Sequence, residues 1–317
     1  MRPVLAHVFA FHGFVVVLAF LGACTITIGP YNDTEGTGPR DTSGLPLLPE
    51  PDNAQAEPWN LTPPTRGVSG YMNQFAPRVE PGSFSLMEFA VACPAPDVGP
   101  AQELIGVVIS VDKANGFGPK GYLHQDGKAR LHVEYYRPQN GKLDFVWDVN
   151  KPGFVPNPAS LYTIDSVVPV STPGGAQIEH RVDLVQSGSG DWWVVYNGWF
   201  LGYYPANLFT MLNKGACSAN WYTEVLDQKP GTAWVQTEIG PGKFGHVAAP
   251  GEAAWVRQPL YWDMNWLLQE PKIDQPMLPR DNNCYTRSAL IDLGPLLGKR
   301  FLAGGPGGYN PLCTKQP

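Results

Sequence analysis

One carboxylate stands in the middle of an otherwise apolar segment, Trp221 to Leu226, which reads Trp-Tyr-Thr-Glu-Val-Leu. Side chains alternate between the two faces of a β-strand, so Glu224 shares one face with Tyr222 while Trp221 and Val225 share the other. A Glu at such a position serves general acid–base catalysis when a second carboxyl group lies within reach. The alternative is a solvent-facing residue on one side of a sandwich.

Two carboxyl groups held within ~5 Å and partly out of water cannot both ionise cheaply, so their pKa values separate. The ionised group can then take a proton from water while the protonated group polarises the bond under attack. This chemistry hydrolyses peptide bonds, and paired Glu residues on concave sandwiches also hydrolyse glycosidic bonds. The pattern therefore predicts a hydrolase that acts in acid, provided that Glu224 has a partner.

The segment before Glu224 predicts how its strand is reached. Asn197-Gly198 lies between two runs rich in aromatic residues, Trp192 to Tyr196 and Trp199 to Tyr204. Asn-Gly tolerates the positive φ angles of a type I′ turn, so these runs predict a β-hairpin. Pro205 pre-sets φ for a first helical turn and predicts a short helix over 206–212 before the chain returns as the Glu224 strand.

Composition points to an all-β chain. Of the 317 residues 43% are hydrophobic and only 16% are charged, while Gly (35) and Pro (33) are abundant. This suits many short strands joined by turns, and an antiparallel β-sandwich with few short helices is the expected fold. The net charge of −6 without a basic run argues against nucleic acid as a partner. Segments with strand composition are 83–92, 105–111, 129–136, 142–149, 167–171, 177–186, 232–239 and 252–261.

The N-terminal part reads as an export signal followed by a tether. Residues 1–24 hold Arg2 and an apolar run from Val8 to Ala23 that is short for a membrane span. Leu21-Gly-Ala-Cys24 resembles a bacterial lipobox, in which Cys24 would be acylated; a plain secreted protein that loses Cys24 with its signal is the alternative. Residues 25–66 are rich in Gly, Pro, Asp and Thr and predict a disordered tether, which leaves 67–317 as the folded domain.

Five motifs stand in the folded part: Gly190-Asp-Trp-Trp193, Leu201-Gly-Tyr-Tyr-Pro205, Trp221-x-x-Glu224-Val225, Thr237-Glu-Ile-Gly-Pro-Gly-Lys-Phe244 and Phe301-x-x-Gly-Gly-Pro-Gly307. Together these motifs resemble the neprosin family of glutamic peptidases. The resemblance implies a β-sandwich with substrate across a concave sheet, peptide hydrolysis with a preference for proline in some members, and Glu224 as one of two catalytic glutamates. With the export signal and the carboxyl chemistry, it predicts an exported endopeptidase that acts in acid without a cofactor or metal.

The partner of Glu224 is less clearly marked. The family carries it upstream in a Glu-x-Gly-Trp-like context, and here Glu103 is the only carboxylate in the comparable region, although the Trp is missing. A gapless match through Val111-Asp112 would instead put Gly106 where the Glu belongs. Glu134, in the alternating strand that ends at Tyr136, is the second candidate. A chain that kept the fold and has no functional partner is the third possibility.

The resemblance also bears on the cysteines. Apart from Cys24 there are four, and an even number in an exported chain predicts two disulfides. The closing element of the family implies that Cys284 pairs with Cys313. Cys93 and Cys217 are then left for the second bridge.

Four aromatic residues are candidates for substrate binding: Trp193, Tyr196, Tyr203 and Tyr222. Their rings would suit a proline ring or a sugar ring, and the family resemblance decides for peptide or protein substrates. A non-catalytic surface or carbohydrate-binding sandwich is the alternative function. A zinc site is not expected because no His-Glu-x-x-His motif is present. Contact with a membrane is expected only through a lipid at Cys24, which would place a bacterial protein at the outer membrane or cell surface.

Overall fold

The computed structural model describes residues 64–81, 83–94, 102–113, 124, 126–139, 142–147, 153–227, 237–271, 283–310 and 313. In these residues the strands form two antiparallel sheets with two 3₁₀ turns, at Ala206–Leu208 and Gly307–Tyr309, and no α-helix. The predicted antiparallel β-sandwich is confirmed. The strands are β1 (Gly67–Asn73), β2 (Ser83–Pro94), β3 (Gln102–Asp112), β4 (Ala129–Gln139), β5 (Lys142–Trp147), β6 (Val155–Pro156), β7 (Glu179–Gln186), β8 (Trp192–Tyr196), β9 (Trp199–Tyr204), β10 (Ser218–Asp227), β11 (Ala254–Trp262), β12 (Leu268–Gln269), β13 (Thr286–Arg287), β14 (Ile291–Asp292) and β15 (Lys299–Gly304).

The two sheets differ in size. The smaller sheet has the order β10-β2-β3-β4-β5, and the larger one follows β13-β15-β11-β1-β7-β8-β9-β6, with β12 beside β11 and β14 beside β15. Alternate residues of each strand point between the sheets and form the main core. In the smaller sheet these include Phe89, Val107 and Val133, which face Val182 and Trp192 of the larger sheet. The opposite face of the smaller sheet, here called the outer face, carries a second apolar cluster.

The chain reaches β10 through the hairpin β8–β9 and a tight connection. Asn197 and Gly198 both have positive φ, 47° and 82°, as a type I′ turn requires. The helix predicted over 206–212 is only a three-residue 3₁₀ turn. It stops early because the backbone N–H groups of residues 210–212 donate to the Glu103 carboxylate instead of to carbonyls of their own segment.

Two other sequence predictions differ from the structure. Segment 167–171 forms no strand beyond a single bridge from Val167 to Arg130. Thr65, assigned to the tether, already belongs to the folded part, since its backbone exchanges two hydrogen bonds of 2.8 Å with Ala216. The signal and lipobox in 1–24, the tether up to 63 and most of 232–239 lie outside the described residues.

Two disulfides link the described residues. One joins Cys284 to Cys313, the pair that the family resemblance implies, and the other joins Cys93 to Cys217, the pair expected by elimination. The first ties the end of β2 to the residue before β10, and so holds the entry of the Glu224 strand. Disulfides are typical of extracellular proteins. Nowhere in the described residues is there a helix with the length and apolar character needed to cross a bilayer.

Candidate active site

Three glutamates of the described residues share the outer face of the smaller sheet. Glu224 lies on β10, Glu88 on β2 and Glu134 on β4. The register explains why they share it: Tyr222 pairs with Glu88, and Gly106 of β3 pairs with Glu134. Glu224 is two residues along β10 from Tyr222 and therefore points to the same side. Sheet pairing thus groups carboxylates that are distant in the sequence.

Core packing fixes the direction of Glu224. Trp221, three residues earlier, is fully buried between the sheets, and its indole N–H donates to the carbonyl oxygen of Ser69 at 2.9 Å. Because strand side chains alternate, this anchor turns Glu224 to the outer face, as the sequence predicts. Glu224 is partly exposed, whereas Glu88 and Glu134 are only 1% and 4% exposed.

The pKa of Glu88 is strongly perturbed. Burial is the main cause that raises its pKa from 4.5 to about 8, and the nearby charge of Glu224 adds to the rise. The Tyr222 hydroxyl donates a hydrogen bond to Glu88, and a further hydrogen bond joins the carboxyl groups of Glu88 and Glu134; both act in the opposite direction. Glu88 is therefore protonated in acid and at neutral pH, beside a carboxylate that is more open to solvent.

Gly106 makes room for this arrangement. A Cβ at position 106 would lie 2.0 Å from Oε1 of Glu88 and 3.1 Å from Cγ of Glu134. The carboxyl of Glu88, reaching over from β2, thus occupies the space of a side chain on β3. This is the position where the gapless family match would place a glutamate.

Aromatic residues surround the carboxyl groups. Tyr136 stacks on Phe145 with ring centroids 4.6 Å apart, and Trp147 lies 6.0 Å from Phe145 and 4.8 Å from His132. Burial and the neighbouring glutamates raise the pKa values of Tyr136 and Tyr222 well above 10, so both phenols keep their protons. The face therefore combines hydroxyl donors with an apolar aromatic wall next to the carboxyl groups.

Glu103 lies on the opposite side of β3. It pairs with Cys93 and points between the sheets with Ile105, away from Gly106. Its carboxylate accepts from the backbone N–H and hydroxyl of Thr210, both at 2.7 Å, and from the N–H groups of Met211 and Leu212 at 2.8 and 2.9 Å. The structure does not bring Glu103 to Glu224, and gives it the task of holding the connection into β10.

Of the four aromatic candidates only Tyr222 lies beside the carboxyl groups. Trp193 and Tyr203 pair across β8 and β9 of the larger sheet, with ring centroids 4.8 Å apart. Tyr196 is 1% exposed in the main core, where its hydroxyl hydrogen-bonds to Nδ1 of His180. The period-2 pattern identified strands but not the sheet that each joins, so Trp193, Tyr196 and Tyr203 are not assembled with Glu224.

The histidines are dispersed. His132 stacks on Trp147 in the outer face, His180 lies in the main core, and His246 hydrogen-bonds to Thr286 through Nδ1 at 2.7 Å. Among the described residues no group of three or more His, Cys, Asp or Glu side chains could hold a metal ion.

Sequence reasoning missed Glu88, although a signal was present. Glu88 stands among Phe84, Leu86 and Ala90 on one face of its strand, as Glu224 stands beside Tyr222. The criterion that singled out Glu224, a carboxylate inside an apolar strand, applies equally to Glu88. The family pattern places the partner of Glu224 on the next strand, β3, and therefore does not indicate Glu88.

Comparison with known families settles the relationship of this chain. The family model described as Neprosin matches residues 115–306, more than half of the 317 residues. The chain belongs to the neprosin family. Membership indicates a peptidase, and hence peptide substrates. The matched region includes Glu134 and Glu224, while Glu88 and Gly106 precede it.

Solved structures of peptidases are similar to this neprosin-family chain. Scytalido-glutamic peptidase, solved with a peptide-based transition state analog, is 11% identical with a TM-score of 0.40. SCP-B, a member of the eqolisin family solved with the tripeptide Ala-Ile-His, is 8% identical with a TM-score of 0.36. Each match covers 81% of this chain and 98% of the other.

Proposed function

We propose that this neprosin-family protein is a glutamic endopeptidase that uses Glu224 and Glu88 as its catalytic pair, with Glu134 holding Glu88. The observation that carries the proposal is a protonated, buried Glu88 beside a more exposed Glu224 on one face, with the charge of Glu224 acting on Glu88. General acid–base hydrolysis needs two carboxyl groups in these opposite protonation states.

The proposed reaction is a balanced hydrolysis. Ionised Glu224 takes a proton from water as the water oxygen bonds to the scissile carbonyl carbon, while Glu88 gives its proton to the carbonyl oxygen. The proton on Glu224 then passes to the leaving amine as the carbon–nitrogen bond breaks. A hydroxyl proton of the intermediate returns to Glu88, which restores both groups.

The pH range follows from these protonation states. Glu88 must keep its proton, so activity should end as the pH approaches about 8, and the ionisation of Glu224 sets the acid limit. We expect the activity to be greatest in weak acid, between these two limits, where Glu88 is protonated and Glu224 is ionised.

The aromatic wall suggests the substrate contacts. Tyr222, Tyr136 and Phe145 offer apolar ring surface beside the carboxyl groups, on which a proline ring could pack. We propose cleavage after proline as the preferred specificity, supported by this wall and by the family resemblance.

The test is digestion of a proline-rich peptide mixture at a series of pH values from about pH 3 to about pH 8 by the wild type and by matched Glu→Gln variants. Glu224→Gln and Glu88→Gln should each lose ~10²-fold or more in kcat, because each removes one of the two proton transfers. Glu103→Gln is the matched control and should still cleave. Undiminished cleavage by Glu224→Gln would remove it from the mechanism, and no cleavage by wild type at any pH would favour a binding module.

We further propose that the protein is exported and attached to a membrane by a lipid on Cys24. The support is the apolar start, the Leu21-Gly-Ala-Cys24 motif and the two disulfides. Intact mass of the mature protein tests this: a first residue Cys24 with acyl chains is expected, and a mature chain without Cys24 would show plain secretion.

A further inference from the structure

The side chains of Glu88 and Glu134 approach each other across a strand. Glu88 is on β2 and Glu134 on β4, while β3 lies between them and pairs with both. Neighbouring strands are about 4.8 Å apart, so the two backbones are separated by roughly twice that distance. A side chain on the intervening residue would ordinarily fill the space, and that residue is Gly106.

The geometry shows how closely the carboxyl group of Glu88 uses this gap. A Cβ at position 106 would lie 2.0 Å from Oε1 and 2.9 Å from the carboxyl carbon of Glu88, and 3.1 Å from Cγ of Glu134. The backbone of Gly106 is not in the left-handed region, so its conformation does not demand a glycine. Glycine is required here for space alone.

We propose that Gly106 is a positioning residue: its missing side chain leaves the gap in which the Glu88 carboxyl group lies buried over β3, next to Glu134. Any side chain at position 106 pushes the Glu88 carboxyl group out of this buried space and back toward β2. The kinetic consequences rest on the proposed peptidase function, whereas the displacement of the carboxyl group can be measured by its titration without a substrate.

The first experiment compares Gly106→Ala with wild type by NMR titration of ¹³C-labelled glutamate carboxyl groups in the full-length protein, alongside the pH profile of kcat. Burial is the main cause of the raised pKa of Glu88, so displacing its carboxyl group in Gly106→Ala should move the Glu88 titration to lower pH by at least ~1 unit. The alkaline limit of kcat should move with it. Gly188→Ala is the control, because Gly188 is exposed and a Cβ there meets no atom within 4 Å.

A second variant moves the carboxyl group to the neighbouring strand. Glu88→Ala combined with Gly106→Glu places a carboxyl directly on β3, next to Glu134, and should restore a raised carboxyl titration that Glu88→Ala alone lacks. Comparison of Glu88→Ala with the double variant also tests the proposal if Gly106→Ala does not fold. A double variant whose carboxyl groups titrate no higher than those of Glu88→Ala would overturn the proposal.

The outcomes separate this inference from the proposed function. A Glu88 titration that shifts in Gly106→Ala, in a protein that cleaves no peptide, supports the role of Gly106 in positioning Glu88 and contradicts the peptidase function. If Gly106→Ala cleaves peptides normally and its Glu88 titration and pH profile are unchanged, the positioning role of Gly106 is contradicted and the proposed peptidase function is not.

Discussion

Replacing Glu88 with Gln should remove a large pH dependence from the stability of this protein. The unfolded chain releases the Glu88 proton near pH 4.5, whereas the folded protein holds it up to about pH 8. Between these values the folded state binds the extra proton, so the free energy of unfolding falls as the pH rises. The contribution of Glu88 is complete below pH 4.5 and is lost as the pH passes about 8.

The size of the effect follows from the shift. Each pKa unit corresponds to about 1.4 kcal/mol, so the rise at Glu88 makes up to about 5 kcal/mol of the unfolding free energy depend on pH. Glu88 is 1% exposed, so solvent does little to screen it. Asp112, whose pKa burial raises to about 7, acts in the same direction, so wild type retains some dependence without Glu88.

Urea unfolding with the disulfides intact, repeated from about pH 4 to about pH 9, measures this term. The difference in unfolding free energy between wild type and Glu88→Gln should change by several kcal/mol, in favour of the variant as the pH rises. Glu252→Gln is the matched control, because Glu252 is partly exposed and its Oε1 lies 2.6 Å from Nζ of Lys243. Parallel curves for wild type and Glu88→Gln would show that Glu88 ionises normally in the folded protein and would refute the proton-donor role.

Three further results are expected. Burial lowers the pKa of His180 from 6.5 to about 4, so the wild type should lose about 3 kcal/mol of unfolding free energy as the pH falls from 6.5 to about 4. Urea unfolding of His180→Gln over the same pH range should show a smaller loss. Glu103→Gln should lower the unfolding free energy by about 2–4 kcal/mol, because it replaces a buried carboxylate that accepts several hydrogen bonds. Thermal unfolding measures this loss. A folded Glu103→Gln protein without peptidase activity would instead indicate that Glu103 belongs to the catalytic pair. Replacing Cys93 and Cys217 by Ala should lower the unfolding free energy by about 4–5 kcal/mol, because the bridge closes a loop with a sequence separation of 124. Urea unfolding measures this loss. An unchanged midpoint would show that the unfolded chain is constrained without the bridge.

Local pattern was sufficient wherever one segment carries the whole signal. The Asn197-Gly198 turn could be predicted because its dihedral angles depend on those two residues, and the face of Glu224 could be predicted because side chains alternate along any strand. The helix over 206–212 could not be judged in this way. Its backbone donors are taken by Glu103, which comes from a distant strand.

The partner of Glu224 shows the limit most clearly. Glu103 was chosen from its place in the sequence, but a carboxylate an odd number of residues from Gly106 points to the other side of β3 and enters the core. Glu88 lies on a different strand from the one that the family pattern indicated. Only the pairing of β2, β3 and β4 shows that its carboxyl group reaches the space above Gly106.

By itself the sequence determined the class of this protein: many short antiparallel strands, a carboxylate on an apolar strand face, and motifs of the neprosin family. These follow from composition, the period-2 alternation of strands and short turns, which are local properties of the chain. The tertiary structure decided which carboxyl groups meet, because sheet order and register bring together residues from three strands. It also decided which of them keeps its proton, because burial and neighbouring charge exist only in the folded molecule.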